Sequence, residues 1–275
     1  MVNIGKKNKL QIIKQVHFGV YLDGGGIEVL LPKRYVPKGC KLHDYLDVFV
    51  YVDSEDRLIA TTDTPYAQVD ECAYLKVVSV NRIGAFLDWG LSKDLFVPRN
   101  EQVKPLVTGK SYVVYIYLDH ETDRIAASTK LRDFLNETSV YYKAGQAVDL
   151  LICAKTDLGY KAIINNTHFG LLYKNEIFQE ISIGQKITGY IKHIREDKKI
   201  DLSLQRSAGE ERDALTAKIL ADLKQRGGIS NLTDKSPPDA IYRQFAVSKS
   251  NYKKALGRLY KQRLIRIEKT RIVLL

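Results

Sequence analysis

A repeat of about 65 residues constrains the fold of this chain more than any other feature of its sequence. The segment HFGVYLDGG (17–25) returns as RIGAFLDWG (82–90), which places Gly84 65 residues after Gly19. Two further blocks follow in the same order in both copies. The first is an apolar segment with a proline, and the second is an alternating segment that leads through an acidic turn to another apolar run. This shared order indicates two copies of one structural unit.

A third and more divergent copy follows. It comprises GQAVDLLICAKTDLGYKAIINN (145–166), HFGLLYKNE (168–176) and GQKITGYIKHIREDKKIDLSLQ (184–205). Its glycine, Gly159, lies 75 residues after Gly84. The additional residues are assigned to a linker before the third copy.

Each copy contains five short segments with strand-like alternation, turns that carry glycine, and no long helical pattern. A unit of this size buries too little as a flat sheet, so closure into a small barrel is expected. A five-stranded, partly open barrel is the OB-fold, whose second and third strands commonly bind oligonucleotides. The repeated glycines are expected to allow the bend that closes each barrel.

After Arg206 the apolar pattern changes from a period of two to a helical period. Three helices are predicted: one over 210–228 that ends at two glycines, one over 236–248 that opens with prolines, and one capped by Ser248. The apolar stripe of the third helix is predicted to comprise Tyr252, Ala255, Leu256, Leu259 and Tyr260. Two alternating segments at the end of the chain read as a hairpin. Three helices and a hairpin predict a winged-helix domain.

The predicted fold is therefore mainly β with a C-terminal α/β part: three tandem OB-fold, five-stranded barrels followed by a winged-helix domain. The predicted boundaries are 1–64, 65–130 and 145–206 for the barrels, 131–144 for the linker and 207–275 for the winged helix.

Positive charge is concentrated at the C-terminal end of the chain. The formal net charge of the chain is +11. The segment 207–275 has 15 Lys and Arg against 7 Asp and Glu, so it contributes +8 of that charge. Such a distribution is typical of a protein that binds a polyanion, and it favours nucleic acid over an anionic membrane surface. The candidate phosphate-contacting residues of the third helix are Lys249, Lys253, Lys254, Arg258 and Lys261.

Two interpretations of that basic helix stay open. Charged runs are usually solvated helix faces that serve solubility alone. However, no acidic residue lies between Lys249 and Arg266, which favours phosphate contact. Nothing in the pattern argues for reading of specific bases, and winged helices also bind proteins.

Several classes of function find no support in the sequence. The cysteines Cys40, Cys72 and Cys153 are far apart, and the five histidines lack ligand spacing, so we expect neither disulfides nor a metal. No catalytic set or phosphate-binding loop recurs, and we expect no enzymatic activity and no cofactor. Without a signal-like or membrane-spanning segment, the expected location is the cytoplasm.

The repeated aromatic residue is the strongest candidate contact. In the alternation, Ala85 and Leu87 take the inward face of the barrel, which leaves Phe86 outside; Tyr21 takes the same position in the first copy. Barrel packing or chance exposure is the alternative explanation, but it does not account for the recurrence. Stacking of a nucleic-acid base on such a ring contributes about 1–3 kcal/mol and tolerates any sequence.

The blocks G-A-F-L-D, D-L-F-V-P and Y-L-D…D-R-I-A-A-S-T resemble the S1-type RNA-binding domain, an OB-fold family. The resemblance implies stacking aromatics beside the glycine, completed by an Asp and a basic residue near the fourth strand. The corresponding residues are Phe18, Tyr21, Asp53 and Arg57 in the first copy, Phe86, Asp119 and Arg124 in the second, and Lys161, Tyr173 and Lys199 in the third. The second copy has Ile83 in place of the first aromatic. The third copy departs most, because Lys161 replaces the ring and Arg195 stands where Asp is usual. Lys199 and Tyr173 could still contact an anion or a base.

The whole chain resembles the conserved virulence factor B family of bacteria, which are S1-domain proteins ending in a winged helix and linked to regulation of gene expression. The segments that carry this resemblance are GLLYKNE (170–176), REDKKIDLSLQ (195–205) and LYKQRLI (259–265). The leading hypothesis is a non-catalytic protein that binds single-stranded RNA, and the resemblance further implies a regulatory effect on transcript stability or translation. Two alternatives remain: a DNA-binding regulator that uses the winged helix, and a scaffold for ribosome or nuclease components.

Overall fold

The computed structural model describes residues 2–275 except residues 54, 56, 120, 121, 175, 176, 178, 179, 206, 207 and 246, and the side chains of 208–214. The predicted fold class is confirmed. Three closed five-stranded barrels are followed by three helices and a small sheet. No helix in the described part of the chain is long and apolar enough to cross a membrane.

The first barrel establishes a topology that the other two repeat. Its strands lie in the order β1-β2-β3-β5-β4, and pairing of β1 with β4 closes the barrel. The third and fifth strands pair in parallel and the other neighbours are antiparallel. The strands are β1 Lys7–Val16, β2 Gly19–Asp23, β3 Glu28–Pro32, β4 Tyr45–Val52 and β5 Leu58–Thr61.

The second and third barrels have the same strand order. The second consists of β6 Cys72–Val80, β7 Gly84–Asp88, β8 Leu95–Pro98, β9 Ser111–Asp119 and β10 Arg124–Ser128. The third consists of β11 Ala147–Thr156, β12 Gly159–Ile164, β13 His168–Tyr173, β14 Lys186–Ile194 and β15 Ile200–Ser203.

The repeat extends to irregularities of the backbone. The first strand of every barrel has a register shift, at Ile13, Val78 and Cys153, which are spaced like the three glycines. At Gly19, Gly84 and Gly159, a Cβ atom would collide with a carbonyl oxygen of the neighbouring strand, at Leu31, Val97 and Leu172 respectively. Glycine is therefore required here because the second and third strands approach each other closely.

The first two barrels share part of their core. Phe49 and Tyr51 point outward from β4, yet both are buried in the second barrel's apolar cluster. Phe49 meets the Trp89 ring edge to face, with centroids 5.6 Å apart. The two barrels therefore pack as one unit through the outer side of β4.

The predicted linker packs between the second and third barrels. The Phe134 ring stacks on Tyr115 and Tyr117 of β9, with centroid distances of 4.5 and 5.3 Å. Leu135 is buried in a cluster that includes Leu151 and other residues from both barrels. This segment is thus a structural part of the junction.

The C-terminal domain contains α1 Ala208–Gln225, β16 Ile229–Ser230, α2 Pro238–Phe245, α3 Lys249–Lys261, β17 Ile265–Ile267 and β18 Ile272–Leu274. The Ser248 hydroxyl accepts a hydrogen bond from the Asn251 backbone N–H at 3.2 Å, which is the expected cap of α3. The short strand β16, which pairs with β18, is not anticipated by the sequence pattern.

One prediction for α3 is wrong. Tyr252, Ala255, Leu256 and Leu259 are buried as expected, but Tyr260 is 57% exposed. Tyr260 lies at the margin of the apolar stripe, about 100° around the helix from Leu259, because successive residues turn by that angle. The domain core is complete without its ring.

Candidate nucleic-acid interface

The outer face of the second barrel presents a pair of aromatic rings. Phe86 on β7 is directly opposite Phe96 on β8, and their ring centroids are 5.2 Å apart at an interplanar angle of 38°. Both side chains are half-exposed, whereas the flanking Ala85 and Leu87 are fully buried. The alternation of β7 therefore aims Phe86 away from the core.

This ring pair lines a cleft of about 540 Å³ at the junction of the first two barrels. The cleft brings together three residues that the sequence singled out, Phe86, Asp119 and Arg124. The Asp119 carboxylate accepts a hydrogen bond from the Thr122 hydroxyl at 2.7 Å. Tyr51 of the first barrel forms part of the wall. The cleft thus combines exposed ring surface with charged groups of both signs.

The first barrel holds a second group of rings. Phe18 is 45% exposed and makes edge contacts with His17 and Tyr21, at centroid distances of 4.8 and 6.3 Å. The Lys14 ammonium lies 5.5 Å from the centre of the Tyr21 ring. Exposed aromatics next to cations are suited to a ligand with flat bases and phosphates.

Asp53 and Arg57 form an ion pair with two hydrogen bonds in the turn of the first barrel. The Arg57 Nε and Nη2 atoms donate to Asp53 Oδ2 at 3.0 and 2.8 Å, and Nη1 lies 2.8 Å from Glu55 Oε2. Desolvation acts to raise the pKa of Asp53, but backbone and side-chain hydrogen bonds from Arg57 hold it below its ordinary value. The carboxylate therefore orients an exposed guanidinium.

The three candidate residues of the third barrel make internal contacts. The Lys161 ammonium lies 3.6 Å from the Phe169 ring centre and 3.3 Å from Glu137 Oε1, facing the linker. Lys199 pairs with Asp197 at 3.3 Å. The structure does not bring these side chains into one open cleft of the kind found on the second barrel.

Tyr173 is the third of these residues, and it belongs to a separate network. Its hydroxyl accepts a hydrogen bond from Arg195 Nη2 at 2.7 Å, and that guanidinium also pairs with Asp201 at 2.8 Å. Arg195 occupies the position that Asp53 and Asp119 hold in the other barrels, because its backbone N–H pairs with Lys199 as that of Asp53 pairs with Arg57. Charge at this position is therefore reversed in the third barrel.

The basic residues of α3 are distributed over its solvent side. Lys253, Lys254, Arg258 and Lys261 are exposed, while Lys249 is half-buried and donates to the Lys235 carbonyl at 3.4 Å. Lys254, Arg258 and Lys261 share one face of the helix. The exposed ring of Tyr260 borders this basic surface.

Phe96 and Tyr51 are two aromatic residues of the cleft that sequence reasoning missed. Phe96 could have been found from the alternation of LFVP, in which Leu95 and Val97 are the buried residues. Tyr51 could not, because it belongs to the first barrel and reaches the cleft only through packing of the two barrels. Among the described residues, no group of three His, Cys, Asp or Glu side chains could hold a metal ion.

Comparison with known proteins identifies domains and relatives of this chain. A family model described as S1 domain matches residues 4–63 and 71–130, and one described as CvfB-like winged helix domain matches 217–274. The chain is 31% identical over 273 residues to the uncharacterized protein YitL of Bacillus subtilis, covering 94% of this chain and 89% of YitL.

Two further similarities extend over most of the chain. Conserved virulence factor B of Staphylococcus epidermidis is 26% identical over 241 residues, covering 85% of this chain and 81% of that protein. A solved structure of a multidomain protein with nucleic acid binding domains from Streptococcus pneumoniae aligns with 99% of this chain and 98% of its own, at 22% identity and a TM-score of 0.41.

Proposed function

This chain belongs to the conserved virulence factor B family, and from that premise we propose that it is a non-catalytic protein that binds single-stranded RNA. We further propose that it acts in the cytoplasm, in post-transcriptional or other regulation of gene expression. S1 domains and winged helices are both types of nucleic-acid-binding domain. The choice of a single strand over a duplex rests on the geometry of the cleft, and the choice of RNA over DNA rests on the resemblance to S1-type RNA-binding domains.

The observation that carries the proposal is the open Phe86–Phe96 pair beside Arg124. In a duplex the bases stack on each other and offer no free face, so a ring on a protein surface selects unstacked bases. A guanidinium at the edge of the cleft is suited to the phosphate that follows a stacked base. A cleft of about 540 Å³ accommodates one or two nucleotides.

Strand register supports a continuous path from the first barrel to the cleft. Tyr21, Leu30, Ile59 and Tyr51 occupy one row across β2, β3, β5 and β4, and Tyr51 lines the cleft. Three strand spacings correspond to about 14 Å. We propose that one RNA strand contacts Phe18, Tyr21 and the Asp53-oriented Arg57, and then enters the cleft.

The candidate residues of α3 and of the third barrel are expected to contribute unequally to RNA binding. The α3 residues Lys253, Lys254, Arg258 and Lys261 add phosphate contacts, with Lys249 at the start of the helix. Of the three candidates in the third barrel, Lys199 is the most exposed. Lys161 and Tyr173 are engaged by Glu137 and Arg195, so the proposal does not depend on them.

The test is the double substitution Phe86→Ala with Tyr21→Ala, measured by fluorescence anisotropy with a labelled single-stranded RNA. Loss of two stacking rings should weaken affinity at least about 10-fold, since each ring contributes about 1–3 kcal/mol. Far-UV circular dichroism should be unchanged. Tyr141→Ala is the matched control, because Tyr141 is a strongly exposed ring outside the cleft. Equal affinity of the double variant and the wild type would contradict the proposal.

Exposure of the basic face of α3 favours a second candidate function, binding of duplex DNA by the winged helix. In that case Lys254→Glu with Lys261→Glu should abolish duplex binding, and the double aromatic substitution should leave it unchanged. Titrations at two salt concentrations add a further distinction. A scaffold for proteins would show little salt-dependent affinity for either nucleic acid.

A further inference from the structure

The Asp94 carboxylate lies in the cleft beside the aromatic pair. The register of β7 and β8 pairs Phe86 with Phe96 and ends where Leu87 is opposite Leu95. Asp88 is the last residue of β7, and Asp94 immediately precedes β8, two residues before Phe96. The two carboxyl groups are close enough for the charge of Asp88 to act on Asp94. Asp94 also lines the cleft, together with both rings.

Asp94 has unused capacity to accept hydrogen bonds. Within the described part of the chain, its carboxylate takes part in no hydrogen bond or ion pair, whereas Asp88 accepts from the Gly90 backbone N–H at 3.0 Å. Desolvation, and to a lesser degree the charge of Asp88, raises the pKa of Asp94 above its ordinary value. The carboxylate is therefore incompletely hydrated, and a donor arriving with a ligand would improve its environment.

The backbone that carries Asp94 is held in position from both barrels. The Trp89 indole N–H donates to the Lys93 carbonyl, with the two atoms 2.5 Å apart. The Lys93 ammonium donates to the Val52 carbonyl of the first barrel at 2.9 Å. These bonds tie the residue before Asp94 to the junction of the two barrels, so the backbone at Asp94 is anchored before any ligand binds.

The chemistry of a free carboxylate beside a stacking platform discriminates among bases. Two residues of strand separate Asp94 from Phe96 by about 7 Å, which is within reach of the edge of a base stacked on the rings. The Watson–Crick edge of guanine offers two adjacent donors, N1–H and the 2-amino group, to the two carboxylate oxygens. Adenine and cytosine each offer one amino group beside a ring-nitrogen acceptor, and uracil offers one N–H between two carbonyls, so all three place an acceptor against the carboxylate.

We propose that the cleft is a guanine-selective subsite, in which the base stacks on Phe86 and Phe96 while Asp94 accepts from N1–H and the 2-amino group. This inference rests on the proposed RNA-binding function and specifies the base. Hydrogen bonds to a charged acceptor give selectivity of about 10-fold or more over a base that lacks the matching donors.

The test compares oligouridine 10-mers that carry one central guanine, adenine or inosine, measured by anisotropy with the full-length protein. We expect the wild type to bind the guanine RNA about 10-fold more tightly than the adenine RNA. Inosine, which lacks the 2-amino group, should fall between them. Asp94→Asn should bring the guanine and adenine affinities to within about twofold. Asp88→Asn, on the neighbouring strand, should retain the preference.

Three results separate this inference from the function on which it rests. Equal affinity of the wild type for guanine and adenine RNA, with binding still dependent on Phe86, would overturn guanine selectivity alone. A guanine preference that survives in Asp94→Asn would also overturn it. Absence of binding to all three RNAs would overturn the proposed function as well. The comparison of guanine with inosine needs no variant, so equal affinity for the two RNAs would overturn the role of the 2-amino group even if Asp94→Asn does not fold.

Discussion

At the scale of single residues, the local environment decides which exposed groups are available to a ligand. Phe86 and Lys161 occupy the same position in their barrels, two residues after the repeat glycine. Phe86 faces an open cleft, but the Lys161 ammonium is covered by a ring and a carboxylate. Equivalent positions in a repeat therefore need not have equivalent functions, because the neighbours that surround them differ.

The three cysteines provide a residue-scale prediction. Burial raises the pKa of both the Cys72 and the Cys153 thiol to about 12, so at pH 8 roughly one thiol in 10,000 is ionised. We expect Cys40 to react first with a thiol reagent at pH 8, and Cys72 and Cys153 only after denaturation. Mass spectrometry after a short labelling pulse would measure this order. Rapid labelling of all three cysteines in the native protein would contradict it.

At the scale of secondary-structure elements, short-range chemistry explains most of the observed boundaries. The N-terminus of α3 follows from the Ser248 cap, and α1 ends before Gly227 and Gly228, whose φ angles of 71° and 88° glycine adopts without strain. The two-residue strand β16 has no such local cause, since it is defined by pairing with β18 from the far end of the domain. The domain boundaries along the chain stay predictions, because a boundary has no local signal and depends on which distant segments pack together.

The cap of α3 gives an element-scale prediction. Ser248→Ala removes the acceptor for the Asn251 N–H and should destabilise the winged helix by about 1 kcal/mol. Thermal unfolding followed by circular dichroism at 222 nm, where α1 to α3 dominate the signal, would measure the loss. Ser248→Asp restores an acceptor and is the matched control, with expected stability close to that of the wild type. A Ser248→Ala variant as stable as the wild type would show that the cap contributes nothing.

At the scale of the whole molecule, the barrels are joined by faces that a single barrel would expose to solvent. The side chains of Phe49 and Tyr51 project from the outer side of β4 and pack in the apolar cluster of the second barrel. Tyr115 has the same place on β9 and is covered by Phe134 of the linker. The outer side of the fourth strand is therefore the packing surface of the first two barrels. On the second barrel, the outer face of the second and third strands stays open to solvent at Phe86 and Phe96.

The shared core predicts coupled unfolding of the first two barrels. Phe49→Ala deletes a ring that is 1% exposed and should cost about 3–5 kcal/mol. Trp89, the single tryptophan of the chain, lies in the second barrel and should report the loss as a lower urea midpoint by fluorescence. Phe18→Ala removes an exposed ring of the first barrel and should leave the midpoint unchanged. An unaltered Trp89 transition in Phe49→Ala would mean that the barrels unfold independently.

The fold was predictable from sequence because its determinants are periodic and local. Alternation, the spacing of the repeat glycines and the helix cap identify three barrels and a winged helix, and they show that Phe86 and Phe96 point outward. The functional surface was predictable only in part. Alternation shows that a side chain points away from the core of its own barrel. Phe49 and Phe86 both point outward in this way, yet Phe49 is buried and Phe86 is half-exposed. This difference in burial arises from contacts between distant segments, which only the tertiary structure defines. The same contacts bring Tyr51 into the wall of the cleft.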